Sequence, residues 1–238
     1  MLVLSRRDIE AISRKVLSSY LHSTDRKLDS IDPIDFAEKM CGIKFEFAEM
    51  GDNGKVLGLT AFSEVEVTIP CGNGHGQVFK LNGRNAFVDQ SLLEGGNVGR
   101  LNFTMMHEAA HQLLGLLFPE EYNFKTQPFI CRLADEYCRQ PITDWPEWQT
   151  NVLTSCLLLP RELVKKQMAQ HGLGEHIRLL NRVFAPKDYE RFSEMADDLG
   201  VSKTTLSIRL NQLGMVGRND FYDPYALVNV YVDDDEIA

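Results

Sequence analysis

Asn102 to Leu117, NFTMMHEAAHQLLGLL, is the stretch whose reading decides the rest of the chain. Within it, His107-Glu108-Ala109-Ala110-His111 has the form HExxH. On a helix, residues four apart lie one above the other, so His107 and His111 can direct two imidazoles at one metal ion. Glu108 sits a step round the helix, within reach of a water held there but poorly placed to be a third ligand. This is the zinc-peptidase pattern, with two histidine ligands and a glutamate general base.

The pattern needs a helix, and the flanking residues supply one. Phe103, Met106, Ala110, Leu113, Leu114 and Leu117 recur at helical spacing. Asn102 or Thr104 can cap the start, and no proline interrupts. Glu108 is the one charged residue between Thr104 and Phe118, so the helix is expected to be largely buried. A carboxylate there is costly unless it is paired or at work. The bland alternative is a set of satisfied core polar groups. The small, uncharged residues between Glu108 and His111 favour the metal site.

At 238 residues the chain can bury a full core. Its 44% hydrophobic and 25% charged content is that of an ordinary globular protein. No apolar run approaches the roughly 18–20 residues of a membrane span, and MLVLSRRDIE lacks the layout of a signal peptide. The expectation is a cytoplasmic protein with no membrane contact. A formal charge of −9 argues against broad nucleic-acid affinity. The five cysteines, Cys41, Cys71, Cys131, Cys138 and Cys156, are irregularly spaced and read as reduced thiols. Cys71 with His75, or Cys131 with Cys138, is a weak candidate for a second metal site.

Upstream of the metal helix, Asp8 to Leu21 reads as a helix with Asp8 as a cap. Asp32 caps a second helix that Pro33 opens and Gly42 ends. Ile43–Phe47 alternates as a strand, Gly51 to Gly54 has turn composition, and 56–62, 65–69, 78–81 and 85–89 read as further strands. Pro70 to Gln77 is a loop. The expected fold is α+β, a small, mainly antiparallel sheet packed with helices that carry HExxH. An edge of that sheet could hold an extended peptide. Ile130, Leu133, Ala134 and Tyr137 hint at a helix, and Pro146 opens a stronger one that Pro160 stops.

A catalytic zinc takes three protein ligands and keeps one position open. The third does not follow from an extended HExxH motif, because Leu114 and Leu117 stand where glycine and histidine would be needed. Glu147 is the preferred ligand, since the first turn of the next apolar helix would aim it inward with Asn151 one turn on. A favourable charge at a helix N-terminus explains it equally well. Glu120, Glu121, Asp135, Glu136 and Asp144 are rivals. Tyr122, Tyr137, His171 and His176 are unranked candidates to stabilise an oxyanion.

The chain resembles the ImmA/IrrE family of zinc metallo-endopeptidases in three blocks, from about Ile31 to Gly214. Arg100, Phe103-Thr104 and His107-Glu108 match the family's Arg, Phe-Thr and HExxH. Glu147, Asn151, Leu157-Leu158 and Pro160 match the second block in register, and Val201-Ser202, Arg209-Leu210 and Leu213-Gly214 match the third. Departures are Ala110, Thr150, Leu153 and Thr154 in place of Gly, Ala and Phe-Ala, and the 36 positions from His111 to Glu147. The resemblance implies zinc held by His107, His111 and Glu147, with Glu108 as base. It also implies a protein substrate, typically a helix-turn-helix repressor, cut in a regulatory role.

Ser193 to Gly214 reads as helix, turn at Gly200, helix, which is a helix-turn-helix pattern. Between Lys187 and Arg218 five basic residues meet five acidic ones, with only Lys203 and Arg209 on the second helix. DNA contact is therefore not expected, and packing or partner docking is. Ala226 to Val232 can form a terminal strand ahead of a solvated acidic tail. The expected division is a peptidase domain over 1–165 and a helical region over 166–238. The competing reading is a non-catalytic transcriptional regulator or partner-binding protein with a structural zinc.

Overall fold

The computed structural model describes residues 3–24, 29–51, 56–70, 76–122, 128–132 and 144–227. It is an α+β structure, with helices around one mixed four-stranded sheet and two smaller two-stranded ones.

Helix α1 (Arg6–Thr24) buries Ile9, Val16, Leu17 and Tyr20. Its start is not capped by Asp8 alone. The Asp8 carboxylate accepts from the Ser5 amide at 3.0 Å while the Asp8 amide donates to Ser5 Oγ at 3.3 Å, a reciprocal capping box. Helix α2 (Pro33–Phe36) begins as expected, with the Asp32 side chain accepting from the amides of Ile34 and Asp35. It widens into a π-helical turn over Ala37–Cys41 and stops at Gly42, whose φ of 69° suits glycine.

Strands β1 (Lys44–Ala48), β2 (Val56–Thr60), β3 (Glu64–Pro70), β4 (Gly76–Asn82) and β5 (Asn85–Asp89) follow. The β3–β4 hairpin stands apart as its own antiparallel pair, over a small core of Met50, Leu59, Ile69, Phe79 and Leu81. The main sheet runs β1-β5-β2-β6, with β6 at Phe129–Arg132. It is mixed, with two antiparallel pairings and one parallel. β5 returns beside β1 only after β2 and the hairpin, so it runs parallel to β1 and antiparallel to β2. Ile130 lies in β6, not in a helix, and residues 133–143 fall outside the described residues.

After the short α3 (Ser91–Glu94), helix α4 (Val98–Leu117) carries the HExxH residues. It starts earlier than the apolar pattern suggests. Asn97 is the cap, accepting from the Arg100 amide, while Asn102 and Thr104 lie inside the helix. Short α5 (Pro119–Tyr122) follows, and α6 (Trp145–Leu158) packs along α4. Then come α7 (Arg161–Gln170), β7 (Ile177–Leu180), α8 (Pro186–Asp198), α9 (Lys203–Leu213) and β8 (Val216–Asn219). β8 lies parallel to β7. Residues 226 and 227 are in a turn, and the rest of the expected terminal strand is outside the described residues.

One buried apolar cluster includes Tyr20, Phe36, Met106, Leu113, Leu157, Met195, Leu206 and Leu210. It runs across the expected boundary between residues 165 and 166. No helix among the described residues is long and apolar enough to cross a membrane.

Candidate metal centre

The sheet and α4 are clamped face to face, and that clamp sets the site. The Gln112 side chain donates to Thr60 Oγ1 and to the Ala61 carbonyl, each at 2.8 Å. Gly115 lets the Phe62 ring lie on the helix, where a β-carbon would sit 2.3 Å from it. Two turns back along α4, Gly58 of β2 makes the same room for Glu108, because a β-carbon at 58 would begin 2.3 Å from Glu108 Oε1. Strand β2 is thus the floor on which Glu108 rests.

His107 and His111 leave α4 on one face, and Glu147 comes from the first turn of α6. That turn is set by Asp144, whose carboxylate accepts from the Glu147 amide at 3.2 Å. Nε2 of His107 and Nε2 of His111 are 3.1 Å apart. The two Glu147 oxygens lie 3.3 Å from His107 Nε2 and 3.1 Å from His111 Nε2. Three donors held about 2.0–2.1 Å from a tetrahedral centre would stand about 3.3–3.4 Å apart. The observed spacings are within a few tenths of an ångström of that, so the residues fit a zinc-sized ion.

The rings are fixed from behind. Phe129 of β6 stacks on His111 with centroids 4.3 Å apart. Thr150 Oγ1 donates to the Pro146 carbonyl at 2.9 Å and lies 3.3 Å from His111 Nδ1. Having spent its one proton, the hydroxyl accepts from Nδ1–H, which leaves the Nε2 lone pair facing Glu147. Burial lowers the His111 pKa to about 4, against the opposing pull of Glu147, so the ring is neutral at pH 7. Burial works to raise the Glu147 carboxyl, but the imidazoles of His107 and His111 set against it outweigh burial and hold it below its usual 4.5. A neutral imidazole and an ionised carboxylate are the states a metal takes.

Glu108 is different. It is fully buried, and among the described residues neither carboxylate oxygen has a hydrogen-bond partner. Burial, followed by the charge of Glu147, raises its pKa well above 4.5. His107 Nδ1 is likewise buried and without a partner. Cys131 of β6 lies with its sulfur close to both, one of a His107–Glu108–Cys131 group within 4.8 Å. Sequence reasoning missed this placement, because four residues of strand carry no readable period.

Of the rival ligands, Glu120 and Glu121 sit in α5, Asp144 is committed to the cap, and Asp135 and Glu136 are outside the described residues. The partners proposed for a second metal site, Cys71, His75 and Cys138, are outside them too. So is Tyr137, while Tyr122 is described by its backbone alone. His171 pairs with Asp198 at 3.1 Å, at the far end of α7, and His176 lies against Gly217. Neither lines the cavity that opens on His107 and Glu147.

Searches against protein-family models and against curated proteins find no match for this chain.

Proposed function

We propose that the chain is a zinc-dependent endopeptidase of the ImmA/IrrE type. The observation that carries this reading is one geometry. Two imidazoles and a carboxylate converge at 3.1–3.3 Å beside a buried carboxylate that no group among the described residues satisfies. An unpaired buried carboxylate destabilises the fold, and a site of reaction is where such a cost is retained.

His107, His111 and Glu147 would hold the ion. When bound, zinc supplies Lewis acidity, making water a better nucleophile near neutral pH and polarising a carbonyl. Glu108 takes a proton from the attacking water and later delivers it to the leaving amine. Its raised pKa suits both halves of that task. Phe129 and Thr150 keep His111 in place, and Gly58 leaves Glu108 its room. β6, the outer strand on this side of the sheet, is available for an extended peptide to lie along. The resemblance adds a protein substrate, a helix-turn-helix repressor, cut for regulation.

The competing regulator reading needs α8 and α9 to act as a DNA-reading helix-turn-helix. Two features speak against that use. Arg209, one of two basic residues on α9, is fully buried and paired with Glu10. The turn before α9 is pressed onto α4, where a β-carbon on Gly99 would meet the Ser202 amide nitrogen at 2.3 Å. The backbone just ahead of the residues that a groove reader would present to base edges is thus packed against α4.

The test is zinc content and cleavage together. Elemental mass spectrometry should give about one zinc per chain in wild type and in Glu108→Gln, with a proteome-derived peptide library cut only by wild type. A zinc ratio near zero after metal is added back and excess removed would overturn the reading. So would cleavage that survives in Glu108→Gln.

A further inference from the structure

We propose that the cavity beside His107 and Glu147 is a substrate subsite in which Arg100 selects an acidic side chain. This rests on the endopeptidase reading and adds a substrate class to it. The cavity is about 440 Å³ and runs from His107 and Glu147 to the turn that opens α9, where Ser202 and Thr205 form its far wall. Arg100 lines it.

Its position follows from the helix. Arg100 is seven residues before His107, which is two turns, so both project from the same face about 10 Å apart along the axis. An extended peptide advances about 3.3 Å per residue. A side chain about three residues from the scissile bond therefore comes level with Arg100.

The charges leave Arg100 free for that role. It is exposed, and among the described residues no carboxylate is paired with it. Glu147 is the one carboxylate among the described residues lining the cavity, and both its oxygens are engaged by the histidines. The rest of the polar lining near Arg100 is neutral, from Asn97, Asn151 and the hydroxyls of Ser202, Thr204 and Thr205. A planar guanidinium without a partner, in a cleft with no competing anion, binds a carboxylate through paired hydrogen bonds.

The far wall is fixed, which makes this a subsite and not just a gap. Asn102 Nδ2 donates to the Gly200 carbonyl at 2.9 Å, and the bare Cα of Gly99 admits the Ser202 backbone. The α8–α9 turn thus serves the cleft as a wall.

The test uses zinc-loaded Glu108→Gln, which should bind without cutting. The probes are three fluorescein-labelled pools of Ala/Ser/Gly decapeptides, carrying one Asp, one Ser or one Lys at a randomised position. Anisotropy should show the Asp pool binding about tenfold more tightly than the Lys pool. Arg100→Glu should reverse that order and Arg100→Lys should weaken it. In parallel, the wild-type cleavage profile should show Asp or Glu enriched at one position about three residues from the cut. Equal binding of the three pools, binding of none, or a preference that Arg100→Glu leaves unchanged overturns the subsite even if wild type cleaves. An Asp preference that Arg100→Glu reverses, in a protein whose wild type cuts nothing, upholds the subsite and removes the endopeptidase reading.

Discussion

Arg209 and Glu108 are both wholly buried ionisable side chains, and the fold treats them in opposite ways. At the junction of α1, α6 and α9, the fully buried Arg209 donates from Nε to the Leu159 carbonyl at 2.9 Å and from Nη1 to Glu10 at 2.5 Å. Between α4 and β2, the equally buried Glu108 has a partner on neither oxygen. The first arrangement is what packing requires of a charge removed from water. The second is what packing avoids. Arg209 keeps one buried nitrogen, Nη2, without a partner, but its charge is matched by Glu10, whereas among the described residues no group donates to or neutralises Glu108. That difference in charge pairing separates the two without appeal to motif.

The largest effect belongs to the paired region. Glu10→Ala strands the Arg209 guanidinium in the core and should cost about 3–5 kcal/mol in urea unfolding. Glu10→Gln keeps an acceptor and should cost less. Neither should change zinc content. If Glu10→Ala unfolds like wild type, Arg209 has another partner and the contrast with Glu108 fails.

At the unpaired carboxylate, Gly58→Ala should move Glu108 without touching a ligand. A misplacement of about 1 Å in a catalytic group is worth about 100-fold in rate. Cleavage should fall by that order while zinc stays near one per chain. Unchanged turnover would mean that Glu108 has a second resting place against β2.

How much of this could be read beforehand depended on period. Helices α1, α4 and α6 and the HExxH face were legible because apolar residues recur over several turns. Glu147 was legible only in part, because Pro146 marks a helix start but a favourable charge in that first turn explained the residue equally well until the family resemblance was added. The start of α4 was not, since Val98-Gly99 before Arg100 breaks the apolar stripe and hides the cap at Asn97. β6 was not, because Phe129–Arg132 is too short to show alternation. The burial of Arg209 was hidden in another way. A charge count over α9 treats every side chain as solvent-facing, although Leu206, Leu210 and Leu213 mark the face that turns inward. Gly58 did carry a signal, an isolated glycine in a strand where something must come close to the backbone.

Thr150 lies between the two regions in kind, a polar group that is satisfied and set against a candidate metal ligand. Its hydroxyl ties His111 Nδ1 to the Pro146 carbonyl, at a position where the resembled family often has alanine. Thr150→Val keeps the shape and removes the acceptor. Zinc affinity, measured by competition with a chelating dye, should drop about tenfold, and Thr150→Ser should restore it. Equal affinity in all three would mean that the Phe129 stack alone orients the ring.

The smallest effect lies in the pH dependence of the paired carboxylate. Burial tends to raise the Glu10 pKa, but the hydrogen bond and charge of Arg209 outweigh it, so the folded value falls below the usual 4.5. The folded state then binds this proton less tightly than the unfolded chain does. The stability Glu10 contributes is therefore present in full above about pH 4.5 and is lost as pH falls through the lowered value. Wild type and Glu10→Gln should differ by a constant amount from neutral pH down to about pH 5 and converge below it, in unfolding followed by circular dichroism. Curves that stay parallel into acid would mean that Arg209 holds Glu10 by shape and not by charge, and the two buried charges would no longer be opposites.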